Sequence, residues 1–576
     1  MKASDYIAKI IVDENVKVVF GYQGGNIAHT IDSIANNPKL KFVTTYNEQG
    51  AAFAACGYAV ENETIGVAVA SSGPGAINLI SGIANAYYDS LPVLFITGNV
   101  SLHTMKTSDK IRQNAFQEND IVSMVSKVTK YAVTVRNPHD LKYHIEKGLY
   151  LAKEGRPGPV LIDLPHNIQK SDLDFDKEVG FKQKNENENE ICTSDEVDKI
   201  CSIVEKSRKP VMIVGGGAGS NSIKESIKEI LKVWEIPVVS TLRGLDVVSH
   251  NYKYYAGLGG AYGTRCANLT LKYSDTILVL GARLDERFIC TNDKSIFQNK
   301  KIIHVDIDAI ELGRIINNEI KVHSNLDDFL KKLLQKRLKP IECKIWCEMV
   351  NEWKQRYSSI GDDWSINKVV YELTSSMCND STITIDIGIN QMCAAQSMVI
   401  KENQRCITSA GHGAMGCSLP LAIGAAYASA KMINCFVGDG ALHMNIQELL
   451  VLSRDKLPVH VILNNNQCLG MIRDFQTKAF NSRFAATINE FKYIDYEQIA
   501  KAYKLKYCKV ESLKEMDKVR SFIRCKEPCF IELCFTEESD TNPQLGVDMF
   551  NQIPCLTEQD IKIIEEEILK CEDIIF

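Results

Sequence analysis

The sequence predicts an α/β protein made of three doubly wound domains, each built on a parallel sheet. Short apolar runs, the pattern of buried strands, alternate with helical patterns along most of the chain. Several of these runs end at glycine or aspartate, where a strand commonly turns into the following helix. The chain has 576 residues. That is too long for one hydrophobic core, and a prior of ~150 residues per domain predicts three or four domains.

The first domain is predicted at residues 1–180. Its helical patterns alternate with five short apolar runs. This alternation favours a parallel sheet that carries helices on both faces. The predicted strands are 18–20, 42–44, 66–69, 93–97 and 160–163.

A solvated linker is predicted after the first domain, because residues 171–190 include the polar, charged run KQKNENENE. The second domain is expected at residues 191–340. Three glycines, 215–217, follow its first strand, but their spacing is not G-x-G-x-x-G, so they are weak evidence for dinucleotide binding and also suit an ordinary tight turn. Its predicted strands are 210–214, 237–240, 276–280 and 301–306.

The third domain is predicted at residues 341–576. It opens on a charged stretch in which Trp346, Trp353 and Trp364 are candidate packing anchors. A helix is expected to begin after Ser365, whose hydroxyl can cap it, and the last helix is expected after Thr557. Between them, strands are predicted at 435–437 and 460–463, with a helical pattern running up to position 450.

Composition excludes two classes of partner. Lys and Arg number 66 against 72 Asp and Glu, a formal net charge of −6, so the chain lacks the basic footprint of a nucleic-acid-binding or membrane-surface protein. No apolar run approaches the ~18 residues of a membrane span. Asp5, Asp13 and Glu14 make the first residues unlike a signal peptide. We therefore expect a cytoplasmic protein with no nucleic-acid or membrane partner.

The 19 cysteines are scattered through the chain and include no C-x-x-C pair. Cys343 and Cys347, like Cys525 and Cys529, are four positions apart, but neither pair lies beside a second pair or a histidine cluster of zinc spacing. Disulfide bonds are the alternative explanation of so many cysteines. We interpret these residues as reduced cysteines of the hydrophobic core.

Two motifs in the third domain indicate a metal site. Gly438-Asp439-Gly440 ends one predicted strand, and Asn466 follows the next, one strand–helix–strand crossover later. Parallel neighbours would present both side chains at the same sheet edge. A carboxylate, an amide oxygen and a backbone carbonyl just beyond, at Cys468, suit Mg²⁺ or Ca²⁺ with open positions for phosphate oxygens. An ordinary turn and loop would also explain these residues.

Gly-Asp-Gly followed one crossover later by Asn465-Asn466 resembles the signature of thiamine diphosphate enzymes. Over nearly the whole chain, the sequence is similar to the large, catalytic subunit of acetolactate (acetohydroxyacid) synthase. The resemblance implies a pyrimidine-binding, a central FAD-type and a diphosphate-binding domain. It also implies a homodimer or homotetramer whose site is shared between the first domain of one subunit and the third of another. Thiamine diphosphate and Mg²⁺ are the implied cofactors, FAD is an open alternative, and a regulatory small subunit is left undecided.

Glu48 lies in the segment YNEQGAA, which follows a predicted strand and opens a helix. A capping acid is the simple explanation of a carboxylate at a helix start. The resemblance instead implies that Glu48 hydrogen-bonds the aminopyrimidine ring of the cofactor, a catalytic role in which an acid shares its proton with a ring nitrogen.

The other implied site residues fall on motifs of the same family. Phe116 and Gln117 match its active-site Phe-Gln pair, and Arg287 ends GARLDER, where a guanidinium fork suits the carboxylate of a 2-oxo acid. A surface salt bridge would also explain Arg287, and a core filler would explain Met415, the residue implied to support the bent cofactor. The implied cofactor-binding residues are Gly24, Gly25, Pro74, Asn78, Gln391, Gly413, Met415, Gly438, Asp439, Gly440, Ala441, Asn466, Gly470 and Met471, with Asp439, Asn466 and Cys468 on the metal.

Departures from the family pattern concentrate near the implied substrate pocket. Phe475 replaces a tryptophan that favours 2-oxobutyrate as acceptor, and His166 replaces a lysine near the substrate entrance. Tyr262 stands where the family has histidine near the flavin, which leaves FAD binding open. Asn390 replaces a histidine close to the cofactor.

The resemblance implies an enzyme that decarboxylates pyruvate and transfers the two-carbon unit to a second 2-oxo acid to give acetolactate, as in branched-chain amino acid biosynthesis. One alternative is a sister carboligase or a 2-oxo acid decarboxylase with another acceptor, such as a keto-sugar or an aldehyde. A non-catalytic scaffold is disfavoured, because Glu48, Asp439 and Asn466 are all present.

Overall fold

The computed structural model describes residues 1–108, 110–183, 192–291 and 294–572. It contains three six-stranded sheets whose paired strands all run parallel, with helices between them. The predicted fold class is confirmed. Residues 184–190 of the predicted linker, and the expected start of the second domain at 191, lie outside the described residues.

The first sheet has the strand order β2-β1-β3-β4-β6-β5. The chain leaves β1 for the edge and then crosses back to β3, so that the carboxyl ends of β2, β1 and β3 are neighbours. The strands are β1 (Val18–Gly21), β2 (Lys41–Thr44), β3 (Gly66–Ala70), β4 (Val93–Asn99), β5 (Tyr131–Thr134) and β6 (Val160–Pro165). The helices are α1 (Ala3–Asp13), α2 (Ala28–Ala35), α3 (Glu48–Asn62), α4 (Pro74–Asn78), α5 (Ile80–Tyr88), α6 (Ile121–Val125), α7 (Leu141–Lys153) and α8 (His166–Gln169).

The second sheet has the strand order β12-β11-β10-β7-β8-β9. The chain runs outward from β7 to β9 and then crosses to the other side of β7, which makes the gap beyond β7 and β10 a topological switch point where ligands commonly bind. The strands are β7 (Pro210–Val214), β8 (Val238–Ser240), β9 (Tyr255–Leu258), β10 (Thr276–Leu280), β11 (Lys301–Asp306) and β12 (Glu319–His323). The helices are α9 (Ser194–Glu205), α10 (Asn221–Trp234), α11 (Arg265–Tyr273), α12 (Leu326–Leu334) and α13 (Lys344–Arg356).

The third sheet repeats the order of the first, as β14-β13-β15-β16-β18-β17. The predicted pairing of β15 with β16 is confirmed, with Gly438 opposite Asn464. The strands are β13 (Ser381–Ile385), β14 (Arg405–Thr408), β15 (Met432–Gly438), β16 (Val459–Asn465), β17 (Lys506–Val510) and β18 (Cys529–Cys534). The helices are α14 (Ile366–Ser376), α15 (Ile389–Ser397), α16 (Ser418–Ala428), α17 (Asp439–Leu442), α18 (Leu449–Asp455), α19 (Gly470–Phe480), α20 (Tyr496–Ala502), α21 (Met516–Phe522) and α22 (Glu558–Glu572).

The first and third sheets are joined by a close crossing of α3 and α16. A Cβ atom on Gly57 would lie 2.1 Å from the carbonyl oxygen of Leu421, and one on Gly424 would lie 1.9 Å from that of Ala54. Only glycine permits this approach. The crossing places the start of α3 against the third domain.

The helix expected to run up to position 450 is wrong as one element. It is divided into α17 and α18, with a 3₁₀ turn at Ile446–Glu448 between them. Polar side chains of this interruption reach the first domain: Asn445 donates to Gln49 Oε1 at 3.2 Å, and Glu448 accepts from the backbone N–H of Tyr46 at 2.9 Å. Local periodicity carries no sign of these contacts.

Two of the three predicted tryptophan anchors lie in the core of the second sheet. Trp346 and Trp353 on α13 are buried there, and α22 packs beside them through Ile564 and Ile568. Trp364 packs instead against the third core and donates to the carbonyl of Cys534 at 2.7 Å.

The predicted hydroxyl cap of Ser365 is confirmed, since its oxygen accepts from the N–H of Lys368. Most cysteines are buried, as predicted. Within the described ranges, no helix is both long and apolar enough to cross a bilayer.

Candidate active site

Glu48 is the first residue of α3, at the carboxyl edge of the first sheet. The neighbouring Asn47 caps the helix, accepting from the N–H of Gln49 at 2.8 Å. The carboxylate of Glu48 points elsewhere and accepts from Asn78 Nδ2 at 2.9 Å. Asn47 therefore caps α3, so helix capping does not explain the presence of Glu48.

The loop after β3 gathers the other first-domain residues around Glu48. Gly24 lies against it, so closely that a Cβ atom there would be 2.6 Å from Ser71 Oγ. Gly73 lies against Gln117, which has a left-handed backbone with φ 63°. Pro74 opens α4, and Asn78 ends it. Beside this cluster, which we call the Glu48 cluster, Phe116 is 84% exposed and Gly25 has open space at its Cβ position.

Asp439 begins α17 at the carboxyl end of β15 and is only 3% exposed. Its Oδ1 accepts from the N–H of Gly440 at 2.7 Å, whereas Oδ2 is buried and has no partner among the described residues. Burial raises the pKa of Asp439 to about 7, although backbone N–H groups of Gly440, Gln467 and Cys468 favour the anion. A buried carboxylate oxygen without a partner is costly, and a cation would satisfy it.

The loop after β16 closes over Asp439. Gln467 adopts a left-handed backbone with φ 54°, and Gly470 begins α19 with no room for a Cβ atom, which would lie 3.0 Å from Asn466 Nδ2. The Cys468 thiol is buried, with its pKa raised to about 11, and donates to the carbonyl of Glu537 at 3.6 Å. A metal here would meet the backbone carbonyl of Cys468 and not a thiolate.

The ligand set of this second cluster, the Asp439 cluster, is one carboxylate, one amide and one carbonyl. In the described part of the chain, no group of three or more His, Cys, Asp or Glu residues could hold a metal ion. The predicted site needs none, because hard cations accept amide and carbonyl oxygens and share the remaining positions with phosphate. The residues therefore fit a diphosphate-bound Mg²⁺.

The loop carrying Gly413 and Met415 borders the Asp439 cluster, because a Cβ atom on Gly416 would lie 3.2 Å from the carbonyl oxygen of Ala441. Gln391 donates to Thr408 Oγ1 at 2.7 Å and to the carbonyl of Ser409 at 3.0 Å, while its own buried oxygen has no partner in the described ranges. Met415 is half-buried against the core that joins the first and third sheets. Met471, in the first turn of α19, packs on the third core.

Asp386 holds the Met415 loop in place. Its buried carboxylate follows β13 and accepts from the N–H groups of Gly416 and Ser418, each at 2.8 Å. Burial raises the pKa of Asp386. Sequence reasoning missed this residue, although an aspartate directly after an apolar run was a usable signal.

Arg287 lines a cavity of about 560 Å³ at the switch point of the second sheet. Its Nη2 lies 3.5 Å from Met392 Sδ, and no carboxylate of the described ranges lies within ion-pair distance of it. The salt-bridge explanation of Arg287 therefore has no support in the described part of the chain. All three domains contribute to the wall, which includes Asp89, Gly216, Arg243, Arg283, Arg287 and Met392.

Asp89 marks the junction of the three domains at this cavity and was also missed from sequence. Its half-buried carboxylate, directly after α5, accepts from the N–H of Gly411 at 2.8 Å. Burial raises the pKa of Asp89 although Arg243 and Arg283 lie near enough to oppose the shift. Arg243 Nε is itself a buried donor without a partner in the described chain. This wall therefore offers charge for an anionic ligand.

His166 and Phe475 do not line this cavity. His166 follows β6, and its ring centroid lies 4.9 Å from that of His29. Burial, together with Lys170, lowers the pKa of His166. Phe475 is 57% exposed on α19, with its ring centroid 5.6 Å from that of Phe480. Their substrate-pocket roles stay predictions.

Within one chain, the Glu48 cluster and the Asp439 cluster lie at the edges of different sheets with the same strand order. The structure brings each set together, and the roles of their members stay predictions. Comparison with known proteins gives the chemical context for this arrangement.

Models of three domains match the chain in order. They are the thiamine pyrophosphate (diphosphate) enzyme N-terminal TPP binding domain over residues 1–124, the central domain over residues 197–333 and the C-terminal TPP binding domain over residues 386–533.

Among curated relatives, the acetolactate synthase large subunit of Lactococcus lactis is 32% identical over 94% of this chain and 94% of its own length. The large subunit of acetolactate synthase isozyme 2 of Escherichia coli is 34% identical over 84% of this chain and 87% of its own. A probable acetolactate synthase large subunit of Methanococcus aeolicus is 31% identical over 94% and 93%. The chain thus belongs to the thiamine pyrophosphate enzyme family, among the acetolactate synthase large subunits.

Proposed function

We propose that this chain is an acetolactate synthase-like carboligase that decarboxylates pyruvate and transfers the two-carbon unit to a second 2-oxo acid. The observation that carries the proposal is the buried, unpartnered Asp439 Oδ2 beside the loop 466–468. When bound, thiamine diphosphate supplies the electron sink for decarboxylation. The relatives cover nearly the whole chain, which supports the same activity.

In this proposal, each set of site residues has a separate role. Asp439, Asn466 and the carbonyl of Cys468 would hold Mg²⁺, which would bind the diphosphate of the cofactor. Glu48, which accepts from Asn78, would face the aminopyrimidine ring and share a proton with it. Arg287 binds the carboxylate of the 2-oxo acid through its guanidinium fork.

The experiment is to incubate the purified protein with pyruvate, thiamine diphosphate and Mg²⁺ and to identify the product. Acetolactate supports the proposal. Acetaldehyde, or carboligation only when a keto-sugar or aldehyde is supplied, would establish the sister-enzyme alternative. Tyr262 is the observation that keeps this alternative open, because its half-buried side chain lines the same cavity as Arg287.

We also propose that the working unit is at least a homodimer in which the Glu48 cluster of one chain faces the Asp439 cluster of another. Apolar side chains on elements next to both clusters are between 38% and 52% exposed: Ile77, Tyr87, Met444 and Leu450. Exposed apolar surface of this kind marks protein interfaces. A cytoplasmic location is part of the proposal, since buried thiols suit a reducing compartment.

FAD is our candidate occupant of the second-sheet cavity. The strand order is that of dinucleotide-binding folds, and Arg243 Nε offers a buried donor to a diphosphate. FAD added to the purified protein is therefore expected to bind, with a change in flavin fluorescence, and Arg243→Glu should weaken that binding. Unchanged fluorescence with the wild-type protein would exclude FAD as the occupant.

The acceptor preference is expected to be weak or to favour pyruvate over 2-oxobutyrate, because Phe475 replaces the larger indole. One methylene in an apolar pocket is worth only ~1 to 3 kcal/mol, so one aromatic contact can decide the preference. A competition assay with equal concentrations of both acids, on wild type and Phe475→Trp, measures it. A strong wild-type preference for 2-oxobutyrate that the variant leaves unchanged would remove Phe475 from acceptor recognition.

A further inference from the structure

Glu448 lies at the contact between the third domain and the start of α3, although nothing in the proposed chemistry uses it. Its side chain is 0% exposed. Oε1 accepts from the N–H of Tyr46 at 2.9 Å, and Oε2 is buried without a partner among the described residues. Burial raises the pKa of Glu448 to about 7, and the backbone N–H groups of Tyr46 and Asn47 oppose that shift. A buried carboxylate with an oxygen that lacks a hydrogen-bond partner is costly, so its presence requires an explanation.

The first turn of α3 is shaped around this carboxylate. A Cβ atom on Gly50 would lie 2.6 Å from Glu448 Oε1, so glycine makes room for it. Asn445, three residues before Glu448, donates to Gln49 Oε1 at 3.2 Å. The segment 445–448 thus contacts residues on both sides of Glu48, whose own side chain points away toward Asn78.

We propose that Glu448 is a positioning residue for Glu48. Its carboxylate fixes the backbone from Tyr46 to Gly50, and thereby fixes the direction in which Glu48 faces the aminopyrimidine ring. The proposal rests on the role of Glu48 in the proposed function. A carboxylate at the amino end of a helix is also favourable electrostatically, because unpaired N–H groups gather there.

Misplacing a catalytic group by ~1 Å can cost ~10²-fold in rate. Glu448→Ala removes the acceptor of the Tyr46 N–H, and Gly50→Ala pushes on the same contact from the other side. We expect both to lower kcat by ~10- to 10²-fold with little change in KM. Glu448→Gln keeps an acceptor oxygen and should restore most of the rate.

The matched control is Glu61→Ala. Glu61 lies near the other end of α3 and also joins it to the third domain, with Thr382 Oγ1 donating to it at 2.7 Å and Lys431 Nζ at 3.3 Å. If Glu448 only held the domains together, the two sites would behave alike. We expect Glu61→Ala to lower the melting temperature without the selective loss in kcat.

NMR can follow the exchange of the C2 hydrogen of bound thiamine diphosphate with deuterium, a measurement that needs no acceptor substrate. Calorimetry measures the affinity for the cofactor. Exchange slowed in Glu448→Ala but not in Glu61→Ala, at equal cofactor affinity, supports the proposal. Wild-type exchange in Glu448→Ala, or equal losses at Glu448 and Glu61, overturns it. A wild-type protein that exchanges C2 but makes no acetolactate would contradict the proposed function alone, whereas one that binds no cofactor would contradict both.

Discussion

Glu48→Gln is expected to lower turnover by ~10²-fold or more while leaving the fold intact. The glutamine side chain is nearly the same size as that of glutamate and keeps an oxygen that can accept from Asn78 Nδ2. In the wild-type protein, this hydrogen bond is 2.9 Å long. It cannot share a proton with the pyrimidine nitrogen, and removing a positioned acid or base typically costs 10²- to 10⁴-fold. The measurement is kcat with pyruvate at saturating thiamine diphosphate and Mg²⁺, with the melting temperature recorded in parallel.

Glu61→Gln serves as control here, because it makes the same substitution at a glutamate on the same helix whose side chain is buried and has no contact with Asn78. Its turnover should stay close to wild type. If Glu48→Gln also stays close to wild type, Glu48 has no part in the mechanism. The Asn78 hydrogen bond would then be structural.

Sequence spacing predicted the Asp439 cluster because its residues follow strands directly, whereas the Glu48 cluster was predicted from the family resemblance. Asp439 and Asn466 directly follow neighbouring parallel strands one crossover apart, so their position at one sheet edge follows from topology. Glu48 likewise begins a helix after a strand. Strands 210–214, 276–280 and 301–306 were predicted with their observed bounds, since glycine or charged residues end each apolar run sharply.

The features that escaped sequence reasoning depend on contacts between distant segments. The turn at Ile446–Glu448 interrupts a helical pattern because its polar side chains bind the start of α3, about four hundred positions earlier in the chain. Asp89 and Arg243 meet at a cavity to which three domains contribute. Periodicity reports which face of an element is apolar and not which element it meets, so such residues need the structure.

Asp439→Asn is expected to remove Mg²⁺-dependent binding of thiamine diphosphate. Above pH 7, the cofactor-free variant should be as stable as the cofactor-free wild-type protein or more stable. The pKa of Asp439 is raised by burial to about 7, well above its usual value near 4. An acid with a raised pKa in the folded state holds its proton there more tightly than when unfolded. Its contribution to stability is therefore lost as pH rises from about 4 through 7.

Asparagine does not titrate, so the variant does not lose stability through this group as the pH rises. Its neutral side chain also brings no charge to a bound cation. Even changes in residues that only support a ligand cost 10- to 100-fold in metal affinity, so losing the ligand's charge should cost ~10²-fold or more. Calorimetric titration in Mg²⁺ buffer at pH 6 and pH 8 measures this. Wild-type affinity should rise with pH, as the carboxylate releases its proton to the solution, and the variant should show no such rise.

Mixing the two variants tests the shared site. Chains with Glu48→Gln keep Asp439, and chains with Asp439→Asn keep Glu48, so a mixed dimer would contain one site with both carboxylates. Activity should return when the two inactive proteins are dissociated and reassembled together. If cofactor affinity in Asp439→Asn equals that of wild type, the metal assignment fails. If affinity is lost but mixing restores nothing, the two clusters do not complete a site between subunits.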